Sequence, residues 1–152
     1  MMIKIVDFDL DFLTQSFKWL NDAEIRELTG TTATVTREGQ ERWFDVIQKD
    51  DTYKIWGIVS EGVMIGACGI KHINYEIKQG EYWGYIGEKQ YWGGKGHKLV
   101  NLVLKQASCL GLSCLVLSVL KINQRAIRLY CKEGFEVYNE DNEKLYMIKQ
   151  IQ

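Results

Sequence analysis

Three glycines stand within four positions, at Gly93, Gly94 and Gly96, between a strand-like stretch and an apolar stretch with helical spacing. A glycine loop that leads into a helix leaves backbone N–H groups unpaired and unshielded by Cβ atoms, and the helix N-terminus adds partial positive charge. Lys95 and Lys98 place countercharge in or beside this loop. The loop is therefore predicted to bind a phosphate or a diphosphate.

Two common phosphate-binding motifs do not match the loop. A P-loop needs a Ser or Thr directly after its lysine, but Leu99 follows Lys98. A dinucleotide-binding fold needs G-x-G-x-x-G after its first strand, and the stretch 94–96 supplies half of that pattern late in the chain. The alternative without a ligand is a tight turn, which three glycines beside two lysines make the weaker explanation.

The elements that must position this loop are predicted from periodicity and turn residues. Apolar residues at helical spacing predict one or two helices in 12–28, with a break at Asn21-Asp22, and further helices over 37–49, 99–107 and 123–133. Strands are predicted at 3–9, 54–60, 63–70, 81–87, 114–120, 135–139 and 144–151. This order, with a strand–helix–strand unit at its centre, predicts an α/β (α+β) fold: a single mixed, largely antiparallel sheet flanked by helices, in one domain over 1–152.

Composition and charge limit the classes of partner. The 152 residues are 26% charged with a net charge of -1, which gives no reason to expect nucleic acid as a partner. No apolar run approaches the roughly 20 residues that span a bilayer, and the acidic and apolar alternation at the N-terminus differs from a signal peptide. We therefore predict a cytoplasmic protein with no membrane partner.

Cysteines and histidines give no metal-binding pattern. There are two histidines, His72 and His97, so a zinc site would have to assemble from scattered residues, and His72 is assigned no role. The four cysteines lack C-x-x-C spacing and lie in apolar or helical runs, which predicts buried free thiols at Cys68, Cys109, Cys114 and Cys131.

Two motifs together identify a family resemblance. The stretch 91–96, Tyr-Trp-Gly-Gly-Lys-Gly, resembles the Gln/Arg-x-x-Gly-x-Gly/Ala loop of the GCN5-related N-acetyltransferases, with Tyr91 in place of the usual Gln or Arg. The stretch 122–136 is similar to the family's Asn-x-x-Ala-x-x-Leu-Tyr-x-x-x-Gly-Phe signature and supplies in register Asn123, Ala126, Leu129, Tyr130, Gly134 and Phe135. The resemblance covers essentially the whole chain. Residues 83–87 and the early stretch 17–28 are similar to the subgroup of ribosomal-protein acetyltransferases.

The resemblance implies acetyl-CoA as the cofactor and a set of residues that hold it. In this family the strand before the glycine loop splays from its neighbour and offers backbone groups to the pantetheine arm and to the thioester carbonyl. Transferred to this sequence, the predicted cofactor-binding residues are Tyr85, Ile86, Gly87, Tyr91, Trp92, Gly93, Gly94, Lys95, Gly96, His97, Asn123, Ala126 and Tyr130.

Two residues are candidates for proton transfer. Tyr130 is the implied general acid that protonates the leaving thiol, and the alternative is a core aromatic residue on an amphipathic helix. Glu81 opens the third predicted strand at about the place where family members often carry a base that acts through water, and the alternative is a solvated glutamate. Glu88 in the following loop is a weaker candidate for the base.

The resulting hypothesis is an acetyl-CoA-dependent N-acetyltransferase that acts on a primary amine. The chain resembles bacterial acetyltransferases of pseudaminic-acid and surface-polysaccharide pathways, and Trp83 and Trp92 flank the site, so the acceptor is predicted to be a small molecule such as a nucleotide-linked amino sugar. The first alternative is a protein N-terminal amine, as in the ribosomal-protein group. The second is a non-catalytic acyl-CoA-binding regulator. The protein is expected to be a monomer or a homodimer.

Overall fold

A seven-stranded sheet organises the computed structural model, which describes residues 2–32, 34–94 and 96–151. The strands lie in the order β1-β2-β3-β4-β5-β7-β6, and every neighbouring pair is antiparallel except β4 and β5, which are parallel. The prediction of a mixed, largely antiparallel sheet flanked by helices is confirmed. The strand bounds are β1 Ile3–Asp7, β2 Lys54–Ser60, β3 Val63–Asn74, β4 Gln79–Ile86, β5 Cys114–Leu120, β6 Glu136–Glu140 and β7 Lys144–Gln150.

The helices begin and end at capping residues that the sequence provides. Asp9 Oδ1 accepts from the Phe12 N–H at 3.1 Å, which ends β1 two residues earlier than predicted. Asp22 Oδ1 accepts from the backbone N–H groups of Glu24 and Ile25, so the predicted break divides the segment into two helices. The helix bounds are α1 Leu10–Leu20, α2 Ala23–Thr29, α3 Arg37–Gln48, α4 Gly96–Cys109 and α5 Gln124–Lys132.

Two hydrophobic cores cover the two faces of the sheet. On one face, α4 packs Val100, Val103 and Ala107 against strand residues such as Ile65 and Met147. On the other face, α1 and α3 supply the apolar side chains. The centre of β3 is buried on both sides, which explains its continuous apolar run.

The four cysteines are free thiols, but only two of them are buried. Cys68 and Cys114 lie in central strands, and burial raises the pKa of both thiols. Cys109 and Cys131 are exposed, so the prediction of burial is wrong for these two. Cys109 is the last residue of α4, and Cys131 lies in the last turn of α5, where an apolar neighbourhood in the sequence does not place a side chain in the core.

Neither a membrane-crossing helix nor a cluster of metal-binding side chains occurs in the described part of the chain. No helix there combines the length and the apolar character that crossing a membrane requires. No group of three or more His, Cys, Asp or Glu side chains in 2–32, 34–94 and 96–151 is placed to hold a metal ion.

Candidate active site

A cleft opens in the middle of the sheet because its two parallel strands separate. β4 and β5 pair only from Gln79 to Glu81 against Cys114 to Val116, and beyond that point each strand continues without the other. Alternate backbone N–H and C=O groups of residues 82–86 therefore face the gap rather than a neighbouring strand. The cleft has a volume of about 1340 Å³, and this geometry is the splayed strand that the resemblance implies.

The glycines at the end of the cleft serve two different purposes. Gly93 and Gly94 have φ values of 91° and 80°, in the left-handed region, and a Cβ at either position would meet no atom within 4 Å. These two glycines permit a backbone conformation that other residues rarely adopt, and no side chain of their own covers the loop. Gly96 begins α4, and a Cβ there would overlap the side chain of Leu129, so it allows α4 and α5 to approach closely. Lys95 lies outside the described residues.

The segment between β4 and the glycine loop is tied to the helices on the other side of the cleft. The Trp19 indole N–H donates to Glu88 Oε2 at 2.7 Å, and Lys89 Nζ lies 2.9 Å from Asp22 Oδ2 and 3.1 Å from Glu24 Oε1. The hydrogen bond from Lys89 lowers the pKa of Asp22. Because its carboxylate is engaged by Trp19, Glu88 is poorly placed to act as a base.

The predicted cofactor-binding residues before the loop differ in their surroundings. The Trp92 indole N–H donates to the Ile86 carbonyl at 2.8 Å, and both residues line the cleft. Gly87 lies directly beneath the Trp19 ring, which a Cβ at this position would overlap. Tyr91 ends a short 3-10 helix, Lys89–Tyr91, and packs against the core rather than along the cleft.

Tyr130 projects from α5 into a cluster of aromatic rings at the cleft. Its ring lies edge-on to Tyr82 and Phe135, with centroid distances of 6.1 and 5.8 Å. Burial raises the pKa of Tyr130 to about 12, so its hydroxyl keeps its proton throughout the neutral range. Asn123 caps the same helix by accepting from the Ala126 N–H at 3.2 Å, and all three residues on this helix line the cleft.

His97 lies at the rim of the cleft and is engaged with α5. Its Nδ1 is hydrogen-bonded to Glu133 Oε1, and Asn101 Nδ2 lies 3.3 Å from the second oxygen of the same carboxylate. The His97 side chain is 63% exposed. This contact joins the first turn of α4 to the end of α5, which is a structural role beside the predicted contact with the cofactor.

A basic stripe on α5 was not predicted from the sequence. Arg125, Arg128 and Lys132 line the cleft, and their spacing of three and then four residues places them on one face of the helix. That spacing is visible in the sequence and could have predicted the stripe. These side chains supply positive charge that fits the phosphates of a coenzyme A molecule.

Glu81 occupies the vertex where β4 and β5 separate. Its Oε1 lies 2.9 Å from His72 Nδ1, and its Oε2 lies 3.8 Å from Lys71 Nζ. Among the described residues that line the cleft, Glu81 is the one carboxylate. Glu81 is thus the last residue of β4 that pairs with β5 and lies where the gap between the two strands begins.

The wall of the cleft beyond Glu81 is aromatic. Trp83 stacks on Tyr85 at 6.3 Å between centroids, Trp83 lies 6.5 Å from Tyr53, and Tyr53 meets the edge of Trp43 at 6.2 Å. Burial raises the pKa of both Tyr53 and Tyr85. Trp43 and Tyr53 are far from the motifs in the sequence, and no spacing predicted their place beside Trp83.

The cleft fits an acetyl-CoA molecule by three of its features. The open edge of β4 presents backbone groups to an extended arm, the Gly93-Gly94 loop is uncovered, and the basic face of α5 lies beside it. This combination corresponds to the chemistry of a diphosphate-bearing ligand with a long amide-containing tail.

Comparison with known proteins agrees with these features. Residues 4–136 match the family model of the acetyltransferase (GNAT) domain. The chain is 28% identical over 128 residues to acetyltransferase PseH of Campylobacter jejuni, an alignment that covers 84% of this chain and 78% of the relative. The solved structure of that N-acetyltransferase in complex with acetyl coenzyme A superimposes with a TM-score of 0.77 and 24% identity over 99% of this chain and 100% of the other.

A spermidine N-acetyltransferase from Vibrio cholerae, in complex with CoA and spermine, shares the fold with a TM-score of 0.89. Its sequence is 18% identical, and the superposition covers 97% of this chain and 95% of that one. The family match spans most of the chain and includes the splayed strands, the glycine loop and all of α5. The chain therefore belongs to the GNAT acetyltransferase family and is an N-acetyltransferase that uses acetyl-CoA.

Proposed function

We propose that this enzyme acetylates a small, anionic amine, with a nucleotide-linked amino sugar as the best candidate. One observation carries the proposal: the cleft has an aromatic wall, and Glu81 is the one carboxylate among the described residues that line it. Acetyl-CoA supplies the acetyl group as a thioester, and transfer to an amine releases a thiol. The protein must therefore accept a proton from the acceptor and deliver one to the leaving sulfur.

The two proton transfers are assigned to the residues at the two sides of the gap. Glu81 removes the proton from the acceptor ammonium, directly or through one water molecule, because it is the carboxylate at the vertex. Tyr130 donates to the leaving sulfur, because burial keeps its hydroxyl protonated. The predicted cofactor contacts, including Lys95, complete the proposed site.

The charges around the cleft favour an anionic acceptor. Apart from the basic face of α5, which is assigned to the cofactor, the described residues that line it include one carboxylate, Glu81, and the basic side chains of Lys71 and Lys144. A polyamine or a cationic peptide would bring several positive charges into a site that offers a single negative partner. A diphosphate would instead find compensating charge. The V. cholerae neighbour is a spermidine N-acetyltransferase, so spermidine is the natural competing acceptor for a test.

The aromatic wall favours a ring-shaped acceptor. Trp43, Tyr53, Trp83 and Tyr85 form a contiguous set of rings in mutual contact. Such surfaces bind sugars through their apolar faces and nucleobases by stacking, each stack contributing about 1–3 kcal/mol. An extended peptide would instead need partners for the hydrogen bonds of its backbone, which aromatic rings do not supply.

An acceptor panel tests this proposal. Thiol release from acetyl-CoA is measured with a nucleotide-linked amino sugar, the same amino sugar without the nucleotide, spermidine, and a short peptide with a free N-terminus. We expect the nucleotide-linked sugar to give a kcat/KM at least about 10-fold above the others, because it alone uses both the rings and the basic residues. A preference for spermidine or for the peptide would contradict the proposed acceptor.

The role of Glu81 is tested by the isosteric change Glu81→Gln. We expect kcat to fall by about 20-fold, less than the usual 10²- to 10⁴-fold for a general base, because a sugar amine is already partly neutral near pH 7. The loss should be greater for spermidine, whose amines hold their protons more tightly. An equal kcat in wild type and variant for both acceptors would exclude Glu81 as the base.

The remaining alternative function is a regulator that binds acyl-CoA without turnover. This alternative predicts tight acetyl-CoA binding in calorimetry and no thiol release with any amine, and the presence of Tyr130 in the cleft argues against it.

Three predictions from the sequence stay predictions: a single domain over 1–152, a monomeric or homodimeric state and a cytoplasmic location.

A further inference from the structure

Strand β3 changes its register against β4 directly beside Glu81. Lys71 pairs with Glu81, and the next recorded pair is Asn74 with Gln79. Between these pairs β3 advances by three residues while β4 advances by two, so β3 carries one extra residue. His72 lies in this bulge, with a φ of 53° in the left-handed region.

The bulge places two consecutive side chains on the same carboxylate. In a regular strand His72 would face away from Lys71, toward the side on which Ile70 and Ile73 are buried. Instead the imidazole Nδ1 lies 2.9 Å from Glu81 Oε1, while the Lys71 ammonium lies 3.8 Å from Oε2. Bulges next to active sites commonly redirect a side chain in this way.

The left-handed backbone conformation of His72 is unfavourable by itself, and contacts of the neighbouring residues stabilise it. A non-glycine residue in the left-handed region costs on the order of 1 kcal/mol or more. The next residue, Ile73, is buried, and its N–H donates to the Thr52 carbonyl at 3.0 Å. The fold thus maintains an exposed histidine, with its side chain 74% exposed, on the carboxylate at the vertex of the cleft.

We propose that His72 is a positioning residue for Glu81, an inference that rests on the proposed role of Glu81 as the base. An ionised carboxylate only accepts hydrogen bonds, so Nδ1 carries the hydrogen and donates it to Oε1. This bond fixes the plane of the carboxylate and leaves Oε2 for the proton of the acceptor. That proton then passes from Glu81 to bulk water, and the carboxylate is restored.

Lys71 is the cation in contact with the second oxygen of the same carboxylate. Its Nζ lies 3.8 Å from Oε2, which is longer than a hydrogen bond, whereas the His72 Nδ1 lies 2.9 Å from Oε1. His72 is therefore the neighbour that orients the carboxylate, and Oε2 stays available for the proton of the acceptor.

Two variants separate the hydrogen bond from the backbone conformation. His72→Gly removes the side chain and keeps the backbone conformation, while His72→Asn keeps an N–H donor of similar reach on a residue that tolerates positive φ. Relative to wild type near pH 8, we expect kcat to fall about 10-fold in His72→Gly and less than about threefold in His72→Asn, with the KM for acetyl-CoA unchanged in both.

A matched backbone control is available at Glu61, which has a φ of 52° in the turn between β2 and β3. Glu61→Gly should leave kcat unchanged, and thermal melting of all variants reports the stability change. In a Glu81→Gln background, His72→Gly should change kcat by less than about twofold, because the residue acts through Glu81.

Three results would overturn the inference: an unchanged kcat in His72→Gly, an equal loss of kcat in the Asn and Gly variants, or full additivity of His72→Gly with Glu81→Gln. Absence of thiol release by the wild-type enzyme with every amine would instead contradict the proposed function.

Discussion

Tyr130→Phe is expected to lower kcat for acetyl transfer by about 10²- to 10³-fold, the usual loss when a general acid is removed. The substitution deletes one hydroxyl and keeps the ring, which packs edge-on against Tyr82 and Phe135. Because the packing is retained, the dissociation constant for acetyl-CoA should change by less than about threefold. The loss of activity should therefore appear in kcat and not in the binding of acetyl-CoA.

Thiol release under saturating substrates measures kcat, and calorimetry measures acetyl-CoA binding. Tyr82→Phe is the matched control, since it deletes the hydroxyl of the ring that packs against Tyr130, and it should preserve kcat within about threefold. Thermal melting shows whether either change affects folding. An unchanged kcat in Tyr130→Phe would remove this residue from the proton transfer.

The raised pKa of Tyr130 also predicts the shape of the pH profile. Burial raises this pKa to about 12, and an acid works below its pKa, so the proton to be donated is present throughout the neutral and mildly alkaline range. We therefore expect no alkaline fall of kcat below about pH 10 that depends on Tyr130. An alkaline fall near about pH 8 to 9 that disappears in Tyr130→Phe would contradict the burial argument.

Much of the fold follows from local patterns in the sequence. The nearly unbroken apolar run of Cys114–Leu120 is typical of a strand covered on both faces, and Asp22 and Asn123 are residue types that cap helix starts. The glycine loop and the signature around Tyr130 predicted the ends of the cleft. These features are encoded within single segments, which is why one sequence was sufficient for them.

Other parts of the site depend on how distant segments meet. The bulge at His72 is a mismatch between two strands, and the periodicity of either strand alone does not contain it. Trp43 and Tyr53 join Trp83 only because α3 packs over the sheet. The exposure of Cys131 likewise depends on the angle at which its helix meets the sheet, which composition does not specify.

Gly94→Val is expected to weaken acetyl-CoA binding by about 50-fold, or about 2.3 kcal/mol. Gly94 has a φ of 80°, and a Cβ there would meet no protein atom within 4 Å, so crowding within the protein does not explain the glycine. A β-branched residue strongly disfavours this φ, and the loop must move to accommodate it. The backbone N–H groups would then lose the arrangement that the cofactor's phosphates require.

Gly111 provides a matched control for the backbone effect. It too has a φ of 80° and open space around its missing Cβ, but it follows the C-terminal end of α4, away from the cleft. Gly111→Val should lower the melting temperature about as much as Gly94→Val and leave the acetyl-CoA dissociation constant unchanged. Gly94→Asn should retain most of the affinity, because asparagine tolerates the left-handed region.

Equal acetyl-CoA affinity in Gly94→Val and wild type would show that the loop is an ordinary turn and that the basic face of α5 holds the cofactor without it. If Gly94→Val alone loses affinity for acetyl-CoA, while Gly111→Val and Gly94→Asn retain it, the binding depends on the backbone conformation of the loop. Side-chain identity at position 94 would then matter only through the φ value that it allows. This is the physical reason for expecting glycine where a main-chain cradle meets a phosphate.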